Sequence, residues 1–217
     1  MKTYAQYCPI AVALDTVGDR WSLLVLRELA LGDQRFTDLR RALPGIAPNL
    51  LSARLTELGE TGLVTRAELP PPAARTVYRL TPRGEEALPI LSALARFGVR
   101  DLAPAPRPGP PMAATRAVHS LLFPWYRAAL RGTTERLRAV VDGEVVDVVL
   151  GARPAWVTGG FGPVAEPEVT VTTTAAALLA ARQQAAPLDA TFDGPAEAVD
   201  DVLAAFALPP AAGRAAR

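Results

Sequence analysis

Pro48-Asn49-Leu50-Leu51-Ser52-Ala53-Arg54-Leu55-Thr56-Glu57-Leu58-Gly59-Glu60 is the stretch on which the fold of this chain turns. Proline suits a first helical turn, where its missing N–H would have no partner anyway. Leu51, Leu55 and Leu58 recur at helical spacing and predict one apolar stripe. Asn49, Ser52, Ala53 and Thr56 fall at i, i+3, i+4 and i+7, roughly opposite that stripe. These four are small or hydrogen-bonding, and none is acidic. A helix entering a DNA major groove needs such a face, because bulky or negative groups would clash with base edges or phosphates. Arg54 falls on a flank suited to a phosphate, while Glu57 and Glu60 come later, where such a helix would leave the groove.

The flanking sequence supplies the partners of that helix. Ile10, Leu14 and Val17 follow Pro9 at helical spacing, and Gly18 interrupts them. Trp21, Leu24, Val25 and Leu29 form a second stripe closed by Gly32. Thr37 is the expected N-cap of a third helix carrying Leu39 and Leu43, which Pro44-Gly45 breaks. A short helix, a glycine turn and a second helix make a helix-turn-helix. Leu63–Arg66 and Thr76–Leu80 are β-prone. The loop from Pro70 to Arg75 joins them into a hairpin whose Arg75 is expected at phosphate or in the minor groove. Thr81-Pro82 then predicts one long helix, with Glu85 and Glu86 near its positive end. Its stripe of Leu88, Leu91, Ala95, Gly98 and Leu102 suggests a dimer contact.

Composition limits the alternatives. Half of the 217 residues are apolar and 21% are charged, which suits globular domains better than disorder. No apolar run reaches the ~18–20 residues of a membrane span. The first seven residues show no signal-peptide pattern, so a cytoplasmic location is expected. Cys8 and His119 are the sole cysteine and histidine, which excludes a disulfide framework and leaves zinc of the usual nitrogen and sulfur type without ligands. Arg35 to Arg83 holds eight arginines against four acids, a net of +4, whereas the whole chain is +1. A local basic excess at a helix-turn-helix is an electrostatic footprint for nucleic acid. Gly159-Gly160-Phe161-Gly162-Pro163 lacks the following helix of a phosphate loop and reads as a turn. His119 reads as a helix-surface or core residue, and Asp200-Asp201 as a solvated helix face. No nucleophile motif or carboxylate pair stands out, so neither an enzyme nor a cofactor is expected.

Several motifs occur in order: Cys8-Pro9-Ile10, Leu14-Asp15-Thr16-Val17-Gly18-Asp19-Arg20-Trp21, Arg35-Phe36-Thr37-Asp38-Leu39-Arg40-Arg41, Leu43-Pro44-Gly45-Ile46, Leu58-Gly59-Glu60-Thr61-Gly62-Leu63-Val64 and Tyr78-Arg79-Leu80-Thr81. From about Tyr7 to Gly98 the chain strongly resembles the HxlR family of bacterial winged-helix regulators. The resemblance implies a homodimer built from N- and C-terminal helices and a DNA site of dyad symmetry. It also implies that Asn49, Ser52 and their neighbours face bases. The expected DNA-facing set is Arg35, Thr37, Pro48, Asn49, Ser52, Ala53, Arg54, Thr56 and Arg75. Ala47-Pro48 departs from the family, which usually has a serine-like cap there. Some relatives sense oxidants or electrophiles through a cysteine at the position of Cys8. Two readings of Cys8 stay open: a thiol switch, or a small buried residue at the head of the first helix.

Ala103 to Pro111 holds five prolines in nine residues and predicts an extended spacer. The expected organisation is a winged helix-turn-helix over 1–102, a linker over 103–112, a second domain over 113–208 and a tail over 209–217. In the second domain an interrupted helix spans Thr115 to Arg131. Asp142-Gly143 turns a hairpin between Leu137–Val141 and Glu144–Leu150. Ala155–Thr158 and Glu168–Thr173 are further strands, and a helix covers Ala175–Gln184. Thr191–Asp193 and a helix from Pro195 to Leu208 complete an α+β fold. This half resembles the sterol-carrier-protein-like lipid-binding fold, most clearly at Glu166–Thr172 and Phe192-Asp193-Gly194. That likeness implies an apolar cavity lined by Trp125, Tyr126, Trp156, Phe161, Leu178, Leu179, Phe192 and Phe206, though ordinary core packing explains such residues as well. The expected function is a DNA-binding repressor controlled by a hydrophobic small molecule. The alternative is a regulator sensing through Cys8, with the second domain serving dimerisation alone.

Overall fold

The computed structural model describes residues 3–69, 75–102, 114–152, 154–157, 166–184 and 187–209. The chain forms two compact units that divide between Leu91 and Ser92. The expected spacer over 103–112 and the tail from 210 lie outside the described residues. The division comes ahead of the spacer because Val99, just beyond it, is buried in the core of the second unit.

In the first unit, α1 (Pro9–Val17), α2 (Ser22–Leu29), α3 (Phe36–Ala42) and α4 (Pro48–Glu60) precede the antiparallel hairpin of β1 (Val64–Leu69) and β2 (Arg75–Leu80). The core joins Val25, Leu26 and Leu29 of α2, Leu39 of α3 and Leu51, Leu55 and Leu58 of α4. Gly45 turns the chain between α3 and α4 at φ +90°, a conformation that a Cβ would penalise. Gln34 exchanges both backbone hydrogen bonds with Tyr78, at 3.0 and 2.7 Å. That bridge fastens the segment before α3 to the hairpin. The stripe expected on α1 is only partly internal: Val17 is buried, while Ile10 and Leu14 are exposed.

Two helix ends differ from expectation. Arg35, not Thr37, precedes α3: its guanidinium donates to Asp38 at 2.6 and 2.9 Å and its backbone N–H at 3.4 Å. Asp38 thus holds the start of the helix, and Thr37 stands exposed in the first turn. The long helix expected after Thr81 is two helices, α5 (Pro82–Glu85) and α6 (Leu88–Gly98), with a 3₁₀ turn at Val99–Asp101. Pro89 is the reason. It has no N–H to continue a helix and its ring would strike the preceding turn, so it is accommodated at the start of a new one. Thr81 caps α5 by accepting from Gly84 N–H at 3.0 Å, and its hydroxyl donates to the Gly62 carbonyl at 2.6 Å.

The second unit packs α7 (Ala114–Leu121), α8 (Ala175–Gln184) and α9 (Ala196–Ala205) with a five-stranded mixed sheet, so it is α+β. The strands β3 (Arg136–Val141), β4 (Glu144–Leu150), β5 (Pro154–Val157), β6 (Val169–Thr173) and β7 (Ala190–Asp193) lie in the order β5-β4-β3-β6-β7. Only β3 and β6 run parallel. Asp142 and Gly143 both take positive φ, 52° and 84°, as a two-residue hairpin turn requires. The helix expected to be interrupted between Thr115 and Arg131 ends at Leu121, and two 3₁₀ turns follow, Phe123–Trp125 with the buried Pro124 and Ala128–Leu130. α9 ends at Ala205, sooner than expected, and Phe206 caps it.

Arg182 of α8 holds this unit together. Its guanidinium donates to the carbonyls of Leu121, Ala207 and Phe206 at 2.7, 3.0 and 2.9 Å and lies over the Trp125 ring at 4.3 Å. The last carbonyls of α7 and the end of α9 therefore share one cation, where helix dipoles favour positive charge. Burial pushes the Arg182 guanidinium down to about 10, well above neutral pH, so it stays charged.

Two stability measurements follow from these contacts. Arg182→Leu leaves three carbonyls without their donor and should lower the unfolding free energy by about 2–4 kcal/mol in denaturant titrations. The Asp38 carboxyl is held below its ordinary range, first by its hydrogen bond from Arg35. A depressed acid contributes stability above the ordinary carboxylate range, about pH 4, and loses it as pH falls through the folded value. Asp38→Asn should therefore shrink the difference in urea midpoint between about pH 7 and about pH 3; an unchanged difference would contradict the assignment.

Candidate nucleic-acid interface

The short helix α3, the Gly45 turn and the longer α4 place one helix face outward. Leu51, Leu55 and Leu58 are 0%, 5% and 1% exposed. Pro48, Asn49, Ser52, Ala53 and Thr56 are all exposed. With one side fixed inward, the 3.6-residue period leaves the opposite side no other orientation. Ala47 offers no side-chain cap and Pro48 occupies the first turn, so the N–H groups opening α4 remain available to an acceptor. The exposed face presents an amide, two hydroxyls and a methyl. Such groups hydrogen-bond base edges or touch a thymine methyl without electrostatic repulsion.

Charge surrounds this face unevenly. Arg40 and Arg41 are exposed in the last turn of α3, Arg41 keeping only a 3.8 Å contact to Asp38. Arg35, expected at DNA, commits its guanidinium to Asp38. On the hairpin, Arg66 donates to Thr76 at 3.2 Å and Thr76 donates to Glu68 at 2.6 Å. Arg79 pairs with Asp33 at 2.5 Å. Arg75 is the first residue of β2, paired across the hairpin with Leu69 and exposed. The loop at 70–74 lies outside the described residues.

Arg54 is not where the sequence put it. Its side chain is only 13% exposed and its guanidinium contacts Asp19 and Glu57, the latter at 2.7 and 2.8 Å. Asp19 was missed because nothing periodic links a loop residue to a helix 35 positions later. Arg40 and Arg41 are two adjacent, exposed cations in the last turn of α3.

An open groove of about 580 Å³ lies on another part of the first unit, lined by Tyr7, Cys8, Val12, Leu63, Arg83 and Ile90 among others. Tyr7, Ile10, Val12 and Leu14 are exposed there and nearby on α1, as is Ile90 of α6. Cys8 is the half-buried residue preceding α1 and forms part of the groove wall.

The expected ligand residues of the second unit separate into groups. Leu178, Leu179 and Phe206 belong to its closed core, Phe206 with no exposed surface. Trp125 is covered by Arg182. Tyr126 donates to the Gly151 carbonyl at 2.7 Å and packs against Phe206 with ring centres 5.1 Å apart, and burial pushes its phenol pKa up. Phe192 is half-buried at the core margin. Trp156 pairs through its backbone with Val148 in the sheet, and Phe161 lies outside the described residues. Among the described residues no cluster of three metal-ligating side chains occurs, and no helix is long and apolar enough to cross a membrane.

Comparison with known proteins agrees with the geometry of the first unit. The HxlR-like helix-turn-helix family matches residues 16–105. An uncharacterised HTH-type transcriptional regulator of Synechocystis is 41% identical over 91 residues, covering 42% of this chain and 67% of the relative. The uncharacterised HTH-type regulator YvaP of Bacillus subtilis is 33% identical over 102 residues, covering 46% of this chain and 94% of that protein. Among solved structures, a candidate MarR-family transcriptional regulator of Porphyromonas gingivalis aligns with a TM-score of 0.42 at 32% identity, over 47% of this chain and all of that one. The family match ends at residue 105, so most of the second unit stands outside it. This chain belongs to the HxlR-like helix-turn-helix family of DNA-binding transcriptional regulators.

Proposed function

We propose that the protein binds a dyad-symmetric operator as a homodimer and represses by occupying the promoter. Asn49, Ser52, Ala53 and Thr56 would read successive major grooves, while Arg75 reaches the backbone or minor groove beside each. One observation carries this reading: α4 exposes an uncharged, hydrogen-bonding face directly opposite its buried leucines. The homodimer is supported by the exposed apolar residues Ile10, Val12 and Leu14 on α1 and Ile90 on α6. Apolar surface of this kind favours association when a second copy removes it from water.

The second unit is the proposed sensor, taking a hydrophobic small molecule between sheet and helices. This reading rests on the sequence likeness at Glu166–Thr172 and Phe192-Asp193-Gly194 to lipid-binding folds. Such a ligand can change DNA affinity only by favouring one arrangement of the dimer over another. A second reading makes Cys8 the sensor, because its thiol stands in the wall of the groove beside the apolar face of α1.

Replacing Asn49 and Thr56 together by glutamate should weaken operator binding on the order of a hundredfold, read by anisotropy titration, since each base contact contributes about 1–3 kcal/mol. Unchanged affinity would refute the reading. Ile10→Glu should shift the protein toward monomer in sedimentation velocity runs. Cys8→Ala with a full oxidant response would remove the thiol reading.

A further inference from the structure

Arg54 stands within the reading helix, one residue from Ala53 and two from Thr56, yet it faces its own protein. Its side chain is 13% exposed, whereas Asp19 and Glu57, its two carboxylate partners, are 63% and 39% exposed. The guanidinium fork takes Glu57 through two nitrogens, at 2.7 and 2.8 Å, and one of these also contacts Asp19. One cation thus serves two anions, and the local sum is −1. A phosphate approaching this point would meet the carboxylates first, so the cluster is unsuited to hold DNA backbone.

The position of Asp19 shows what the contact does instead. Asp19 follows Gly18, the residue that ends α1, and its carbonyl accepts from Ser22 N–H at 3.1 Å as α2 opens. Arg54 therefore ties the middle of α4 to the corner between α1 and α2. The α1 helix bears the apolar face assigned above to the second copy. The corner then lies between the surface that sets dimer geometry and the helix that reads bases.

We propose that Arg54 is a positioning residue: through Asp19 and Glu57 it fixes the angle of α4 against the α1–α2 corner, and with it the separation of the two reading faces, without touching DNA. This role rests on the proposed operator-binding function. Arginine suits it because a planar fork can join two carboxylates, which the point charge of lysine does less well.

The test turns on the sign of one effect. Duplexes selected by the wild-type full-length protein from a random-sequence pool, and an unselected duplex of equal length, serve as labelled probes over a salt series. Simple electrostatics says that Asp19→Asn, which removes an anion, should tighten DNA binding. Positioning says that it should weaken the selected duplex on the order of tenfold and leave the unselected duplex unchanged. Glu57→Gln should act in the same direction. Arg54→Lys should fail to restore affinity, and no variant should alter the salt slope. Equal or tighter binding by Asp19→Asn would overturn the inference, and a slope reduced by about one in Arg54→Gln would make Arg54 a phosphate contact instead. Thermal melts by circular dichroism confirm that the exposed Asp19 site tolerates asparagine. If the wild-type protein selects no duplex at all, the operator-binding function fails and this role with it, an outcome distinct from selection that Asp19→Asn leaves intact.

Discussion

Three leucines of α4 bind the first unit together. Leu51, Leu55 and Leu58 meet Val25, Leu26 and Leu39 in one core, and each fully buried side chain of this size contributes about 1.5–3 kcal/mol. Because a helix has two sides at a fixed period, that burial also dictates what the solvent side shows. The chemistry that α4 shows to solvent is a consequence of core packing, and so is its rigidity. A helix anchored on three positions over two turns cannot roll without opening the core. The Gly45 turn and the Gln34–Tyr78 bridge then fix its neighbours, α3 and the hairpin, at either side.

Electrostatics refines this frame without building it. The basic excess between Arg35 and Arg83 is only +4, and several of those arginines are already engaged: Arg35 with Asp38, Arg54 with Asp19 and Glu57, Arg79 with Asp33. A pair as open as Arg79 with Asp33 contributes little to stability. The effect of these pairs is to hold long side chains in one place. Among the described residues of the unit, Arg40, Arg41 and Arg75 keep their side chains exposed.

Most of the elements were legible because their signals are local. Leucine spacing, Asp142-Gly143 between two valine-rich runs, and Pro48 at a helix start each act within a few residues. The misplacements share a different cause. The cap of α3 is a side chain reaching forward from Arg35 to Asp38, and arginine is not among the usual capping residues, so Thr37 looked the better candidate. The break before α6 is set by Pro89, whose effect on the chain before it outweighs a continuous apolar stripe. Arg54 is a tertiary matter altogether, since only the fold brings Asp19 to it. Likewise the unit boundary depends on where Val99 is buried, which no composition shift announces.

The second unit sets a physical condition on any effector. Phe206 has no exposed surface, and its own carbonyl and that of Ala207 accept from Arg182, which also grips the end of α7 and covers Trp125. A hydrophobic molecule seated beside Phe206 would have to displace packed side chains or shift the end of α9. Shifting that end breaks two of the three carbonyl bonds to a buried cation, each worth more than a neutral hydrogen bond. The free energy of removing the ligand's apolar surface from water must exceed that loss before the unit can change state. A ligand meeting the condition would couple its own binding to the joint between α7, α8 and α9, which makes Arg182 the residue through which occupancy of such a site is felt by the rest of the unit.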